Sequence, residues 1–129
     1  MACAVELIDL ALEKPEQKDY VFLVADDGGQ VLGYICYGPT PMTDATWDLY
    51  WVAAAPEARG KGVGKALVRE MEADLRARKA RQIRIETSSQ EAYGSTRDFY
   101  ARNQFVEQAR LRDFYKPGDD LVILGKRYD

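Results

Sequence analysis

Histidine is absent from this chain of 129 residues. Without an imidazole the chain lacks the base of Ser-His-Asp and Cys-His catalysis and the most frequent protein ligand of zinc. Any acid–base chemistry must therefore use carboxylates, tyrosines, lysines or water. We accordingly predict no metal site.

Cysteine is scarce, and long apolar runs are missing. The two cysteines, Cys3 and Cys36, stand in apolar surroundings without metal-ligand spacing, which predicts free buried thiols. No apolar run approaches the ~20 residues that cross a membrane. Residues 1–12 carry Glu6 and Asp9 and no basic leader, so they do not read as a secretory signal. We expect a cytoplasmic protein with no membrane partner.

Positive charge is in the minority. The chain has 18 lysines and arginines against 21 aspartates and glutamates, a net charge of −3. Nucleic-acid-binding proteins usually show a basic face, so we predict no nucleic-acid partner. The composition, 47% apolar and 30% charged, is typical of a globular protein, and the length fits one domain.

Hydrophobic periodicity and turn residues divide the chain into helices and strands. The predicted helices cover residues 3–13, 63–79 and 95–103, and the predicted strands cover 20–25, 31–37, 46–53, 83–87, 105–113 and 121–126. On the second helix Glu72 and Asp74 are expected on the solvated side, and Ser95 or Thr96 is expected to cap the third. This order predicts a mixed sheet covered by helices.

Three glycines, at positions 60, 62 and 64, stand between the third strand and the second helix. The backbone N–H groups at a helix N-terminus lack partners and carry partial positive charge, so glycines that admit a phosphate create an anion site. A nucleotide-like cofactor is the natural ligand. The structural alternative is a tight strand-to-helix turn.

The common nucleotide-binding motifs fail on spacing. A Walker loop needs glycine at position 59 and Ser or Thr at 66, where the chain has Arg59 and Ala66. A dinucleotide fingerprint needs glycine at 65 or 67, where Lys65 and Leu67 stand. An unrelated nucleotide-binding protein is therefore the weakest hypothesis.

The spacing of Arg59, Gly62 and Gly64 is that of Gln or Arg, two residues, Gly, one residue, Gly or Ala. Together with the long helix that follows, it resembles the acetyl-CoA loop of the GNAT superfamily. The segment 99–105, Phe-Tyr-Ala-Arg-Asn-Gln-Phe, is similar to a downstream segment of that family, with Gln104 in place of the usual glycine. The resemblance covers residues 20–128. Further segments look like an uncharacterised bacterial subgroup: 38–41, 48–51, 86–89, 113–115 and 117–120.

The resemblance implies an α/β (α+β) fold with a mixed, mainly antiparallel central sheet flanked by helices. Residues 1–129 would form a single GNAT-like domain that lacks the first strand and helix usual in full-length relatives. Those elements commonly help to form the acceptor pocket, so their loss would weaken activity, expose a sheet edge or be compensated by a second subunit; we predict a homodimer.

The resemblance also implies acetyl transfer from acetyl-CoA to a primary amine of a small molecule or peptide. It places the pantetheine arm along the end of the third strand and the pyrophosphate on the glycine loop. The implied cofactor-binding residues are Val52, Ala53, Ala54, Arg59, Gly60, Lys61, Gly62, Val63, Gly64 and Lys65.

Tyr100 matches the tyrosine that protonates the departing thiolate in the family. A phenol of pKa ~10 lies within about two units of a thiol, so the transfer is energetically reasonable. The alternative is that Tyr100 only packs beside Phe99.

Two carboxylates are candidates for the base that takes the amine proton, directly or through water. Asp48 falls near the position of a catalytic carboxylate in many relatives, and Glu86 ends the next strand. For both, a strand-edge charge or an ion pair with Arg84 or Arg97 is the structural alternative.

Near the C-terminus, Phe114 and Tyr115 are predicted to form a wall of the acceptor site. Asp119 and Asp120 are candidates for a cation contact, with simple turn chemistry as the alternative. At the level of the whole chain, the alternative to an active acetyltransferase is a non-catalytic acyl-CoA-binding module.

Overall fold

A computed structural model describes residues 20–28, 30–56, 60 and 62–128. The predicted helix at 3–13 lies outside these ranges, as do Cys3, Arg59 and Lys61. Cys36 is a free, buried thiol, as predicted. Within the described part of the chain, no helix is long and apolar enough to span a bilayer.

The chain divides into two compact units, Met1–Ala80 and Arg81–Asp129. In the N-terminal unit, β1, β2 and β3 form an antiparallel meander, and α1 packs on all three strands. The bounds are β1 Val21–Asp27, β2 Gln30–Pro39, β3 Thr46–Ala54 and α1 Val63–Ala77.

The centre of β2 is buried on both faces, since Ile35, Cys36 and Tyr37 are all 0% exposed. The apolar stripe of α1, including Leu67 and Met71, is buried as its spacing predicts. Burying these side chains is the main source of the unit's stability.

The prediction of a fully solvated charged side on α1 is wrong in part. Glu72 is buried because it stands beside Met71 on the packed face, and Arg76 lies 3.8 Å from its carboxylate. Asp74 is half-buried and accepts a 2.6 Å hydrogen bond from the Tyr37 hydroxyl. The covered face of α1 is thus wider than its apolar stripe.

The C-terminal unit contains three strands, in the order β4, β6, β5, with antiparallel pairing throughout. All residues of β5 are exposed, whereas β6 alternates between buried and half-buried positions. The bounds are β4 Gln82–Ser88, a 3-10 turn Glu91–Tyr93, α2 Gly94–Arg102, β5 Val106–Lys116 and β6 Asp119–Arg127.

The expected capping of α2 by Ser95 or Thr96 is wrong. The helix follows directly from the 3-10 turn, so its N-cap is Tyr93, and no side chain makes a capping hydrogen bond. Both threonine and serine stand inside the first turn and are exposed. Continuity with the preceding turn replaces the side-chain cap.

Both helices end in a Schellman-type turn without glycine. In α2, the N–H of Gln104 donates to Ala101 O and that of Phe105 to Tyr100 O, each at 3.0 Å. Gln104 has φ 74°, the left-handed conformation for which glycine is favoured. The turn that follows α2 therefore keeps its geometry although the family's glycine is missing.

The end of α1 repeats this arrangement. Lys79, with φ 60°, donates to Arg76 O at 3.0 Å, and Ala80 donates to Leu75 O at 2.9 Å.

The predicted fold class, α+β with a mainly antiparallel sheet and flanking helices, is confirmed: the described residues form six strands and two α-helices. Each predicted strand and each predicted helix in the described ranges is present, with ends displaced by up to a few residues.

Candidate functional site

The glycine loop ends in a helix N-terminus built for an anion. Gly60 and Gly62 have φ 80° and 78°, and apart from their chain neighbours no atom of the described residues lies within 4 Å of a Cβ added at either position. Gly62 is the N-cap of α1 and offers no side chain, and the first turn contains no acidic residue. The helix dipole is therefore not compensated from within the first turn.

The first helical hydrogen bond of α1 runs from Ala66 N–H to Gly62 O, at 3.0 Å. The N–H groups of Val63, Gly64 and Lys65 thus precede any intrahelical acceptor and point out of the helix end. A diphosphate fits this combination of open space, positive partial charge and donors.

The end of β3, which is predicted to contact the pantetheine arm, lies close to the first residue of α1, and Gly33 of β2 stands between them. A Cβ added at Gly33 in β2 would stand 2.5 Å from Ala53 O and 2.9 Å from Val63 Cγ1. Ala54 pairs with Gly33 in the sheet register, and Val52 pairs with Ile35. The structure thus brings the end of β3 and the first helical residue together, with glycine as the spacer.

Asp48 stands on β3 opposite Gly38, on the far side of a bulge from Val52. Cys36 pairs with Trp51 and Tyr37 pairs with Leu49, so one residue of β3 is left over between these pairs. Bulges of this kind re-aim side chains and are frequent beside active sites. The Asp48 side chain is half-buried.

Tyr100 is buried, at 6% exposure, in the C-terminal unit. Its ring packs edge-on against Phe99 and Phe105, with centroids 5.4 and 5.7 Å away. Burial raises the pKa of Tyr100 to about 12. The phenol therefore holds its proton across the physiological range, and the predicted packing beside Phe99 is also present.

A pocket of about 310 Å³ opens at the end of β4, within the C-terminal unit. Its size suits a small ligand. The residues that line it are Glu86, Thr87, Ser88, Gln90, Tyr93, Tyr115 and Asp119.

Glu86 belongs to this pocket and also makes the predicted alternative contact. Its carboxylate lies 3.5 Å from the Arg84 guanidinium, and its side chain is 51% exposed. An exposed pair of this kind contributes little to stability. Arg97 has another role, since it donates to the backbone oxygens of Ser88 and Gln90 at 2.6 and 2.8 Å.

The two neighbouring aspartates of β6 differ in their contacts: one lines the pocket and the other forms hydrogen bonds with β5. Asp119 is buried, accepts a hydrogen bond from the Ser88 hydroxyl and lines the pocket. Asp120 accepts 3.0 Å and 2.9 Å hydrogen bonds from Arg110 and from the Asp113 N–H. For Asp120 the turn-chemistry alternative describes the contacts found.

Of the two aromatic residues predicted to form a wall of the acceptor site, one lines this pocket. Tyr115 lines the pocket and Phe114 does not, although their rings contact each other edge-on at 5.0 Å. Sequence reasoning missed Thr87, Ser88 and Gln90 as lining residues. The available signal was the polar run that follows the alternating apolar residues of β4.

Comparisons with known proteins agree on one family. A family model described as "Acetyltransferase (GNAT) domain" matches residues 18–107. A solved GNAT-family protein from Desulfovibrio desulfuricans is 40% identical, with a TM-score of 0.93, and the match covers 98% of this chain and 79% of that one. No curated protein matches the sequence.

More distant structures share the fold. An aminoglycoside 6'-N-acetyltransferase complexed with coenzyme A is 16% identical, with a TM-score of 0.74 over 92% of this chain and 78% of that one. A ribosomal-protein-alanine N-acetyltransferase from Brucella melitensis is 23% identical, with a TM-score of 0.73 over 98% of this chain and 78% of that one.

Proposed function

This chain belongs to the GNAT superfamily of acetyltransferases, and on that premise we propose that it transfers an acetyl group from acetyl-CoA to a primary amine. The acceptor is a small molecule or a peptide. The transfer is direct: the amine nitrogen bonds to the acetyl carbon and the carbon–sulfur bond breaks. The observation that carries the proposal is the glycine loop at the start of α1.

The loop supports acetyl-CoA as the acyl donor, which supplies a thioester that an amine can attack. Gly60 and Gly62 leave room for a diphosphate, and the N–H groups of Val63, Gly64 and Lys65 are its donors. Arg59 and Lys61 complete the proposed set. Val52, Ala53 and Ala54 would line the pantetheine arm, because their short side chains leave the strand end open.

The chain's own residues would move two protons. Asp48 or Glu86 takes the proton that the amine loses, directly or through water, and Tyr100 gives its proton to the departing sulfur. Glu86 is open to solvent at the pocket, whereas Asp48 is half-buried on β3. Replacing each by its amide identifies the base, because only the base carries the acidic limb of the pH–rate profile.

A specific observation favours the alternative, a non-catalytic acyl-CoA-binding module. With its pKa raised to about 12, Tyr100 is a weaker acid than a thiol of pKa ~8.5. Donation to a free thiolate would be unfavourable by roughly three pK units. Activity therefore requires that proton transfer accompany cleavage of the carbon–sulfur bond.

Two assays test the proposal. Thermal shift with acetyl-CoA, CoA and ATP should show stabilisation by the first two only, since a ligand that binds the native state raises its apparent stability. Thiol release with a panel of amines should then show turnover. Acetyl-CoA binding without turnover on any amine would support the binding module instead.

Tyr100→Phe provides the matched variant, since it keeps the ring and removes the proton. We expect kcat to fall by about a hundredfold with little change in acetyl-CoA affinity. Unchanged kcat would remove Tyr100 from the mechanism.

We further propose that the protein works as a homodimer and that residues 1–129 act as one domain. Light scattering at several concentrations tests the first point, and a monomer at all of them would contradict it.

A further inference from the structure

The pocket at the end of β4 carries a charge pattern of which the proposed function uses at most Glu86, as one of two candidate bases. Two carboxylates, Glu86 and Asp119, line it together with two tyrosine rings. Among the residues that the structure describes, no lysine or arginine lines it. Tyr93 and Tyr115 are 48% and 49% exposed, which is high for large aromatic side chains.

The two carboxylates act electrostatically on the Tyr115 hydroxyl. The pKa of Tyr115 is raised by partial burial first and then by repulsion from Glu86 and Asp119. A cation in the same place would be attracted by both carboxylates and by the faces of the rings.

Of the two arginines close to the pocket, one contacts backbone oxygens and the other pairs with Glu86 at the surface. Arg97 donates to the Ser88 and Gln90 carbonyls, so it holds the loop after β4. Arg84 lies 3.5 Å from Glu86 at the surface, where solvent screens the pair. Neither arginine is a partner of Asp119, which accepts a hydrogen bond from the neutral Ser88 hydroxyl. The buried Asp119 carboxylate is therefore available to a cationic ligand in the pocket.

The pocket wall is held by the polypeptide itself. The pairing of β5 with β6 is interrupted between Leu111 and Lys116, and Tyr115 stands in that interruption. Asp113, with φ 55°, accepts a 2.8 Å hydrogen bond from Gly118 N–H, and Asp120 accepts one from Asp113 N–H. These bonds fix the bulge that directs Tyr115 to the pocket.

We infer that this pocket binds a cationic group, so that the preferred acceptor is a small amine with a second positive charge. This inference rests on the proposed acetyl transfer. In this arrangement Glu86 holds the second charge and Asp48 is the base: one amine loses its proton to Asp48, directly or through water, and attacks, while the other ammonium stays between Glu86, Asp119 and the two rings. A carboxylate in the same position would be repelled.

Three acceptors built on four carbons test the inference: putrescine, butylamine and γ-aminobutyrate. Each has a primary amine at one end, and the other end is a second ammonium group, a methyl group or a carboxylate. We expect kcat/KM to be at least about tenfold higher for putrescine than for butylamine, and lowest for γ-aminobutyrate. Equal values for putrescine and butylamine, or a preference for γ-aminobutyrate, would overturn the inference.

Asp119→Asn is the main variant, since the amide oxygen still accepts the Ser88 hydrogen bond. It should raise KM for putrescine by about tenfold and change KM for butylamine much less, because butylamine has no charge at its far end. Glu91→Gln is the control, because Glu91 is an exposed carboxylate of the nearby 3-10 turn that does not line the pocket. Equal effects of the two variants would contradict a cation site at Asp119.

Direct calorimetry with putrescine separates this inference from the proposed function. Putrescine binding that depends on Asp119, without thiol release from any amine, would support the cation site and end the enzymatic proposal. Acetyl transfer to all three amines with no dependence on Asp119 would do the reverse. Tyr93→Phe should retain binding and Tyr93→Leu should weaken it, because only the first keeps the aromatic face.

Discussion

The glycine loop before α1 presents backbone amides, whereas the pocket at the end of β4 presents side chains. In the N-terminal unit the positive potential comes from the helix end, and the glycines contribute only space. In the C-terminal unit the negative potential comes from Glu86 and Asp119. Under the proposed function, recognition by the backbone would keep acetyl-CoA as the acyl donor in any sequence that keeps this geometry. Recognition by side chains would let the amine acceptor change by substitution.

The largest expected effect tests whether the stability of the N-terminal unit depends more strongly on a close backbone contact than that of the C-terminal unit does. A Cβ at Gly33 would meet the Ala53 carbonyl oxygen at 2.5 Å, whereas one at Gly125 in β6 would meet the Gln108 side chain at 3.0 Å and Ile83 O at 3.1 Å. Gly33→Ala should lower the free energy of unfolding by about 3 kcal/mol and Gly125→Ala by about 1. Urea unfolding measures both, and equal losses would remove the contrast.

Alkaline pH offers the next test, with a buried acid chosen from each unit. Burial raises the pKa of Cys36 from 9.0 to about 12 and that of Tyr100 from 10.0 to about 12. Because the unfolded chain ionises first, stability is fully present below the ordinary pKa and is lost as the pH rises towards 12, at about 1.4 kcal/mol per pH unit for each group.

Unfolding free energies between pH 8 and pH 11 measure this loss. Cys36→Val should remove roughly 2.7 kcal/mol of the decline at pH 11, and Tyr100→Phe roughly 1.4. A variant that declines as steeply as the wild type would show that its group ionises normally in the folded state.

A smaller effect separates strain from ligand contact at the glycines. Gly62 and Gly28 have φ 78° and 60°, and a Cβ at either would meet open space. Alanine should therefore cost similar stability at both. Only Gly62→Ala should weaken CoA binding, by about tenfold, or ~1.4 kcal/mol, because its methyl group would enter the space reserved for the diphosphate. Calorimetric titration measures the affinity, and equal affinities would exclude Gly62 from the anion site.

The smallest expected effect is shared by both units. Lys79 and Gln104 occupy left-handed positions at the ends of α1 and α2. Glycine at either site should raise the free energy of unfolding by about 0.5 kcal/mol, since relief of strain exceeds the added entropy of the unfolded chain. Thermal unfolding of the two variants would detect the gain, and a loss at one site alone would mark a further role for that side chain.

The sequence predicted the elements of the fold because apolar spacing reports burial directly. It did not predict the burial of Glu72, since helical periodicity cannot tell how wide a packed face becomes until the partner strands are in place. The cap of α2 was missed for a related reason: Ser95 and Thr96 are good caps in isolation, and the 3-10 turn before them removes the need for one.

The part of the candidate site that depends on backbone geometry could be predicted from the sequence, and the part that depends on side-chain placement could not. The glycine loop could be located from spacing, because its contribution is backbone geometry. The pocket required the register of β5 with β6, which the bulge between Leu111 and Lys116 alters, so that Tyr115 reaches the pocket and Phe114 does not. No local pattern in the sequence encodes that choice.

The exposed β5 strand has an evolutionary consequence. Its residues are exposed over its whole length, whereas β6, which pairs with β5 on one side and with β4 on the other, is largely buried. Lengthening or shortening the chain between Leu111 and Lys116 would change which side chain faces the pocket without touching the core. If the proposed function is correct, small insertions in this segment would change the acceptor in related proteins, while the glycine loop, which is the proposed donor site, would stay unchanged.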